Sequence, residues 1–294
     1  MSDVLDSLHP TLRELPGKTI VDRYRVDEAL GVGGMGAVFR GRHLGLKRDV
    51  AIKVLHPELT RDPEISKRFD REAHSASRLD HPNCLRVTDV GTTEDGVKFM
   101  VMDLLSGGEL ADRLGKPIAA DRAVLMVLQI LRGLEHAHEN GVVHRDIKPG
   151  NIFLQDQDGE LFIKILDFGI AKFTGEAATD LVRKTATSPG EIFGTPMFMS
   201  PEQAKSEPVS AQTDIWALGL IAHKMLTGDD YWTAQTLTAL IAQIVYEPMK
   251  TPTQKGYALG ARYDEWLLQS CSRDPGERFA SAGSAVRALA AAFD

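Results

Sequence analysis

The first third of the chain, from residue 24 onward, is built of short valine-rich apolar runs separated by glycine, such as Ala37-Val38-Phe39 and Val50-Ala51-Ile52. Runs of this kind predict β-strands. Pro63 opens a charged stretch to residue 79 in which Phe69, Ala73 and Ala76 recur at helical spacing, predicting one helix with Pro63 in its first turn. His81-Pro82-Asn83 ends it, and two further strands are expected over 85–90 and 97–102. After Gly107-Gly108 the pattern becomes helical: Val124, Val127, Leu128, Leu131 and Leu134 form one apolar stripe that stops at Asn140-Gly141. Residues 211–226 predict a second apolar helix with Gly228 beyond its end, and 280–293 an alanine-rich one. Residues 1–18, with Pro10, Pro16 and Gly17, read as a tail or strap. Residues 172–193 are polar, carry five Ser/Thr and show no period, and loops that long inside domains are usually functional. The outline is a β-rich region with one helix, a short hinge over 103–106, and a larger helical region.

Composition narrows the classes. The chain has 294 residues, 43% of them hydrophobic and 26% charged, enough for a real core. Net charge is −7, with Lys and Arg scattered among acids, so no nucleic-acid or anionic-membrane partner is expected. Cys84 and Cys271 stand far apart and read as buried small hydrophobes, consistent with a reducing cytoplasm. No run approaches the ~20 apolar residues of a membrane-spanning helix, and no signal peptide is seen. The expectation is a soluble, cytoplasmic chain, or the intracellular part of a longer membrane protein.

Four segments carry chemistry. Residues 31–38 read G-x-G-x-x-G-x-V between two predicted strands. Glycines let backbone amides approach phosphate oxygens. Dinucleotide-binding folds use the same spacing but follow it with a helix, whereas here a strand follows. Val50-Ala51-Ile52-Lys53 is a strand ending in a lysine that can hold phosphate if a carboxylate fixes it. Glu72 on the next helix is the candidate; Glu64 lies too near the helix start. Residues 144–151, His-Arg-Asp-Ile-Lys-Pro-Gly-Asn, form a loop, since Pro149 and Gly150 forbid a helix. They bring a carboxylate, an ammonium and a carboxamide within six residues, the set that phosphoryl transfer needs. Asp167-Phe168-Gly169 follows a strand over 162–166 and offers a metal carboxylate.

In this order the four segments resemble the protein kinase family, and the chain from about 24 to 290 looks like a bacterial Hanks-type serine/threonine kinase. Met199-Ser200-Pro201-Glu202 stands where the family has A-P-E. Residues 214–219 match its D-x-W-x-x-G helix, and Arg278 stands where the family's arginine pairs with that glutamate. The resemblance implies an α+β, two-lobed protein kinase fold with a small β-rich N-lobe bearing one helix and a larger helical C-lobe. It also implies a division into a tail over 1–18, a kinase domain over 19–290 (lobes 19–105 and 106–290), and an end, 291–294, leading into further chain.

By similarity, Asp146 orients the substrate hydroxyl, Lys148 neutralises the moving phosphate, and Asn151 with Asp167 holds Mg²⁺, for which Mn²⁺ can substitute. Lys53 grips the α- and β-phosphates of ATP and pairs with Glu72. Gly31, Val32, Gly33, Gly34, Met35, Gly36 and Ala37 form the phosphate loop. Adenine lies between Leu30, Val38 and Ala51 above and Phe153 below. Met102 is the gatekeeper, the backbones of Asp103 and Leu105 meet the adenine edge, and Glu109 reaches the ribose or a basic substrate residue. Thr195 helps join Asp146 to Lys148. Lysine two residues after Asp146 is the serine/threonine form of the loop.

Arg145 before the catalytic aspartate implies a phosphorylated activation segment, because a bare guanidinium there favours an anion. Thr185, Thr187 and Ser188 are the candidates for autophosphorylation, ahead of Thr174 and Thr179. Ala76, one turn beyond Glu72, stands where many relatives place a large apolar residue. It implies a weakly held helix that a homodimer or another partner stabilises. Expected partners are protein substrates with Ser/Thr acceptors and the chain itself in trans. A pseudokinase scaffold or a small-molecule phosphotransferase are the alternatives. The first is disfavoured by the presence of Lys53, Asp146 and Asp167, the second by the A-P-E-like and D-x-W-x-x-G elements. A metal site from His136, His138 and His144 is disfavoured because the first two point to different helix faces.

Overall fold

A computed structural model describes residues 8–33, 36–157, 160–168 and 195–293, apart from the side chains of Arg68, Glu72, Gln157 and Thr195. The chain divides into two compact units, Met1–Ser106 and Gly107–Asp294.

The first unit is an antiparallel sheet in the order β1-β2-β3-β4-β6-β5, formed by β1 (Thr19–Ile20), β2 (Tyr24–Gly33), β3 (Gly36–His43), β4 (Arg48–Leu55), β5 (Val87–Thr92) and β6 (Lys98–Asp103). Because successive side chains alternate, Val26, Phe39, Val50, Ile52, Val54, Phe99 and Val101 fall on one face and make its core. The segment expected to be a tail belongs to that core. Helix α1 (Pro10–Arg13) starts at Pro10, and Leu8 and Leu12 are fully buried against the sheet. Burying two such leucines contributes on the order of 1.5–3 kcal/mol each. Their spacing was too short to register as a periodic helix. A short α2 (Pro57–Thr60) was also not foreseen. Helix α3 (Pro63–Ala76) starts where Asp62 accepts hydrogen bonds from the Glu64 and Ile65 amides, with Pro63 in its first turn.

The second unit is built on α4 (Ala120–Glu139) and α6 (Ala211–Thr227). Helix α4 buries Met126, Val127, Ile130, Leu131 and Leu134 on one stripe. Helix α6 is apolar nearly all round and buried nearly all round, as a central helix must be. It ends at Gly228, whose φ of 82° is the left-handed cap geometry. Helices α5 (Pro201–Ala204), α7 (Leu237–Tyr246), α8 (Ala261–Ser270) and α9 (Ala282–Phe293) complete it. Strands β7 (Gly108–Glu109), β8 (Ile152–Gln157) and β9 (Glu160–Ile165) form a small sheet. The Gln129 amide on α4 fixes that sheet, donating to Leu161 O at 3.0 Å and accepting from Ile163 N at 2.9 Å. The segment said to forbid a helix contains one 3₁₀ turn, Pro149–Asn151, since proline is tolerated in a first turn.

Candidate active site

In the sheet unit, register decides which expected nucleotide residues come together. Val38 pairs with Lys53, and Lys53 with Met100; Ala51 pairs with Met102. Directly paired residues share a face, so Val38, Ala51, Lys53 and Met102 lie together on the face opposite the core. Leu30 joins them. Ala29 packs toward the core, and the bulge between Ala29 and Gly31 leaves Leu30 turned away and 46% exposed. Gly31 pairs with Val38 and Gly33 with Gly36, while Gly34 and Met35 lie outside the described residues. Gly36 has no room for a side chain, because a Cβ there would meet Val54 O at 1.9 Å. The Asp103 N–H donates to Arg86 O, so its carbonyl is the group that can meet an adenine edge. The Glu72 side chain, and with it the expected pairing to Lys53, lies outside the described residues.

In the helical unit, the loop 144–151 is knitted by its own side chains. The Lys148 ammonium sits 2.8 Å from Asp146 Oδ2, and Asn151 Nδ2 donates to Asp146 O at 2.8 Å and to Oδ2 at 3.3 Å. Asp146 and Asn151 are both buried. With Nδ2 committed, the amide oxygen of Asn151 is the atom that can face a cation. His144 Nδ1 accepts from Asp146 N at 3.2 Å and Nε2 donates to Leu166 O at 2.7 Å. These partners select the neutral, Nε2-protonated tautomer. Leu166 N donates to Asn151 O, so Asp167 is delivered directly beside the loop. Arg145 and Asp167 both hold left-handed backbone, with φ of 67° and 52°. Such strain in non-glycine residues persists only where surrounding bonds impose it, and it concentrates at functional sites.

At Arg145 the imposing group is Asp214 at the start of α6, whose side chain is 1% exposed. It accepts from His144 N, Arg145 N and His138 Nε2, all at 2.8 Å. The motif 214–219 was legible, but this role was not. Gln203 was missed altogether. Its Nε2 donates to Arg145 O at 2.7 Å while its Oε1 accepts from Ser200 N in a capping box. The Ser-x-x-Gln spacing at 200–203 was the available signal. Glu202 and Arg278 pair as expected, through two bonds of 2.7 Å, with Thr213 donating to the same carboxylate. Burial pushes the Glu202 carboxyl up, but hydrogen bonds and charge from Arg278 outweigh it and hold it below its usual range.

Glu109, paired with Phe153 in the small sheet, is pushed up by burial first and by Asp112 next, against the pull of Lys148. Thr195 lies in a 3₁₀ turn, Thr195–Phe198, but its side chain is outside the described residues. So is the whole stretch holding Thr174, Thr179, Thr185, Thr187 and Ser188.

Residues 24–288 match the family of the protein kinase domain. Serine/threonine-protein kinase pkn3 of Myxococcus xanthus is 38% identical over 93% of this chain and 50% of its own length. Serine/threonine-protein kinase PknB of Mycobacterium tuberculosis is 34% identical over 89% of this chain and 41% of its own. The chain thus spans about half or less of these relatives. The crystal structure of the Mycobacterium tuberculosis PknI kinase domain superposes with a TM-score of 0.71 at 27% identity, covering 94% of this chain and 98% of that one. The chain therefore belongs to the protein kinase domain family, as a serine/threonine protein kinase catalytic domain of a family that uses ATP and a divalent metal.

Proposed function

We propose that the chain transfers the γ-phosphoryl group of ATP to a serine or threonine hydroxyl of protein substrates, with Asp146 as the residue that orients that hydroxyl. The observation that carries this reading is the buried Asp146 carboxylate held by Lys148 at 2.8 Å and Asn151 at 3.3 Å. The hydroxyl oxygen attacks phosphorus, the bond from phosphorus to the β,γ-bridging oxygen breaks, and ADP leaves. Asp146 accepts a hydrogen bond from the hydroxyl and takes its proton as the bond to phosphorus forms, and Lys148 offsets charge on the transferring oxygens. Asn151 and Asp167 offer the hard oxygen donors that suit Mg²⁺, with Mn²⁺ as a substitute, and the cation would neutralise phosphate charge. From the sheet unit, Lys53 takes the α- and β-phosphates, the loop 31–37 covers them, and Leu30, Val38 and Ala51 supply apolar surface for adenine beside gatekeeper Met102. Leu105 N–H and Asp103 C=O meet the adenine edge. Phe153 is assigned to the base and Glu109 to the ribose or a basic substrate side chain by the family resemblance. Glu72 fixes Lys53, and Thr195 joins Asp146 to Lys148.

Regulation by phosphorylation in trans at Thr185, Thr187 or Ser188 is part of the proposal. Its support is Arg145, whose buried Nε has no hydrogen-bond partner among the described residues and would accept a phosphate as its counter-ion. A homodimer is the natural assembly for that reaction. A cytoplasmic site of action is proposed with it; among the described residues no helix is long and apolar enough to cross a membrane. The test is ADP production with casein or myelin basic protein. Asp146→Asn should lose about 10²–10⁴-fold in kcat, and equal rates would overturn the assignment. Phosphosite mapping after incubation with ATP should find phosphate within 172–193; none there would overturn the regulatory part.

A further inference from the structure

The face of the sheet that carries Lys53 also carries a second lysine. Lys98, Met100 and Met102 alternate with the core residues Phe99 and Val101 along β6, and Met100 pairs with Lys53. Lys98 therefore points to the same side as Lys53, one pleat period further along. Its ammonium reaches both oxygens of Asp70 on α3, at 2.8 and 2.7 Å. The Lys98 side chain is 18% exposed and that of Asp70 48%, so the pair is wet at one end and sheltered at the other.

Among the described side chains of α3, the buried ones are Phe69, Ala73 and Ala76, and two alanines bury few apolar atoms. The rest of the helix is rich in charge. A helix with so thin an apolar stripe is poorly anchored by the hydrophobic effect. The ion pair supplies an anchor of another kind, and it does so two residues before Glu72.

We propose that Lys98 is a positioning residue for phosphoryl transfer: through Asp70 it holds α3 against the sheet, and so holds Glu72 in reach of Lys53. This rests on the reading of Lys53 and Glu72 as a functional pair. A half-exposed pair has a modest effect on stability, yet even a modest bias between two helix positions shifts their populations severalfold. It also makes activity sensitive to ionic strength, since screening lengths shrink from about 10 Å at 0.1 M to 3 Å at 1 M salt.

The test uses the chain as it stands, with casein as acceptor. Lys98→Met should lower kcat about two- to fivefold while the melting temperature stays within about 2 °C of the parent. Hydrogen exchange of the α3 amides should quicken by a similar factor. The parent should lose activity between 50 mM and 500 mM NaCl more steeply than Lys98→Met. The swap Lys98→Asp with Asp70→Lys should recover at least half of what Lys98→Asp alone loses. Unchanged kcat and exchange in Lys98→Met, or a swap without recovery, overturns the proposal. Glu72→Gln is the separate control. If it keeps full activity, the Lys53–Glu72 reading fails; if it loses activity while Lys98→Met does not, only the tether fails.

Discussion

In the sheet unit, Val38, Ala51, Lys53 and Met102 share a face because a strand turns successive side chains to opposite sides and the pairing register brings them opposite one another. In the helical unit, Asp146, Lys148 and Asn151 are held by bonds among themselves, and Asp214, from 70 residues away, holds the backbone of His144 and Arg145 just before them. The first arrangement is distributed over a ladder of backbone bonds. No single side chain carries it, and its failure points are places where the backbone itself must come close. The second is concentrated in a few charged groups out of water, where losing one partner leaves the others unsatisfied. The difference teaches where each unit is fragile.

The sharpest break falls on Asp214. Asp214→Ala strips three acceptor bonds from His138, His144 and Arg145 and should cost about 3–5 kcal/mol of stability. Activity should fall at least as far as in Asp146→Asn. Urea unfolding and ADP assays check both, and parental stability would show that the loop does not depend on this anchor.

Next is the buried pair. Glu202→Gln leaves Arg278, which is 0% exposed, without its counter-ion, and about 3 kcal/mol should be lost. The double variant Glu202→Met with Arg278→Met should recover much of that stability and little of the activity. A double variant no better than the single one would mean that geometry, not charge, is what the pair supplies.

A third test uses acid. The His223 ring is fully buried, with both ring nitrogens lacking partners among the described residues. It is packed edge-on against Tyr231 and Tyr257. Burial first, and then Lys255, push its pKa down to about 4, against the pull of Asp229 and Asp230. The unfolded chain binds this proton near pH 6.5, the folded one not until about 4. Stability is therefore complete above pH 6.5 and falls as pH drops toward 4. At about 1.4 kcal/mol per pH unit the loss reaches roughly 3 kcal/mol. Denaturation midpoints at pH 7 and 4.5 measure it, and His223→Leu should flatten that part of the profile.

The smallest effect is in the sheet. Gly36→Ala drives a methyl into Val54 O and should cost about 1–3 kcal/mol, with a raised KM for ATP and a smaller change in kcat. A variant affected mainly in kcat would blur the contrast between the units, because strain in the ladder would then be reaching the chemistry directly.

Much of this was legible in the chain. Valine-rich runs broken by glycine predicted the strands over 24–54 and the two that follow, helical spacing predicted α3 and α4, and an apolar run predicted α6, within a few residues at their ends. Residues 144–151 and 167 announced phosphoryl transfer by residue type and spacing alone. The core role of Leu8 and Leu12 was not legible, because one leucine on a four-residue helix and one just before it make no period; only the sheet beneath them gives them a partner. Gln203 and Lys98 were not singled out at all, and His138 was read as a surface or core histidine; their partners Arg145, Asp70 and Asp214 lie far away in sequence.

Local rules therefore determined which residues are helical, which are extended, and where a carboxylate, an ammonium and a carboxamide cluster, since these follow from propensity, period and residue type within a few residues. The tertiary structure alone decided what holds those groups still. Asp214 reaches back 70 residues to His144, and Arg278 reaches 76 to Glu202. Lys98 reaches 28 residues back to Asp70. Bonds over such separations carry no local signature, because their geometry is created by burial of the intervening chain.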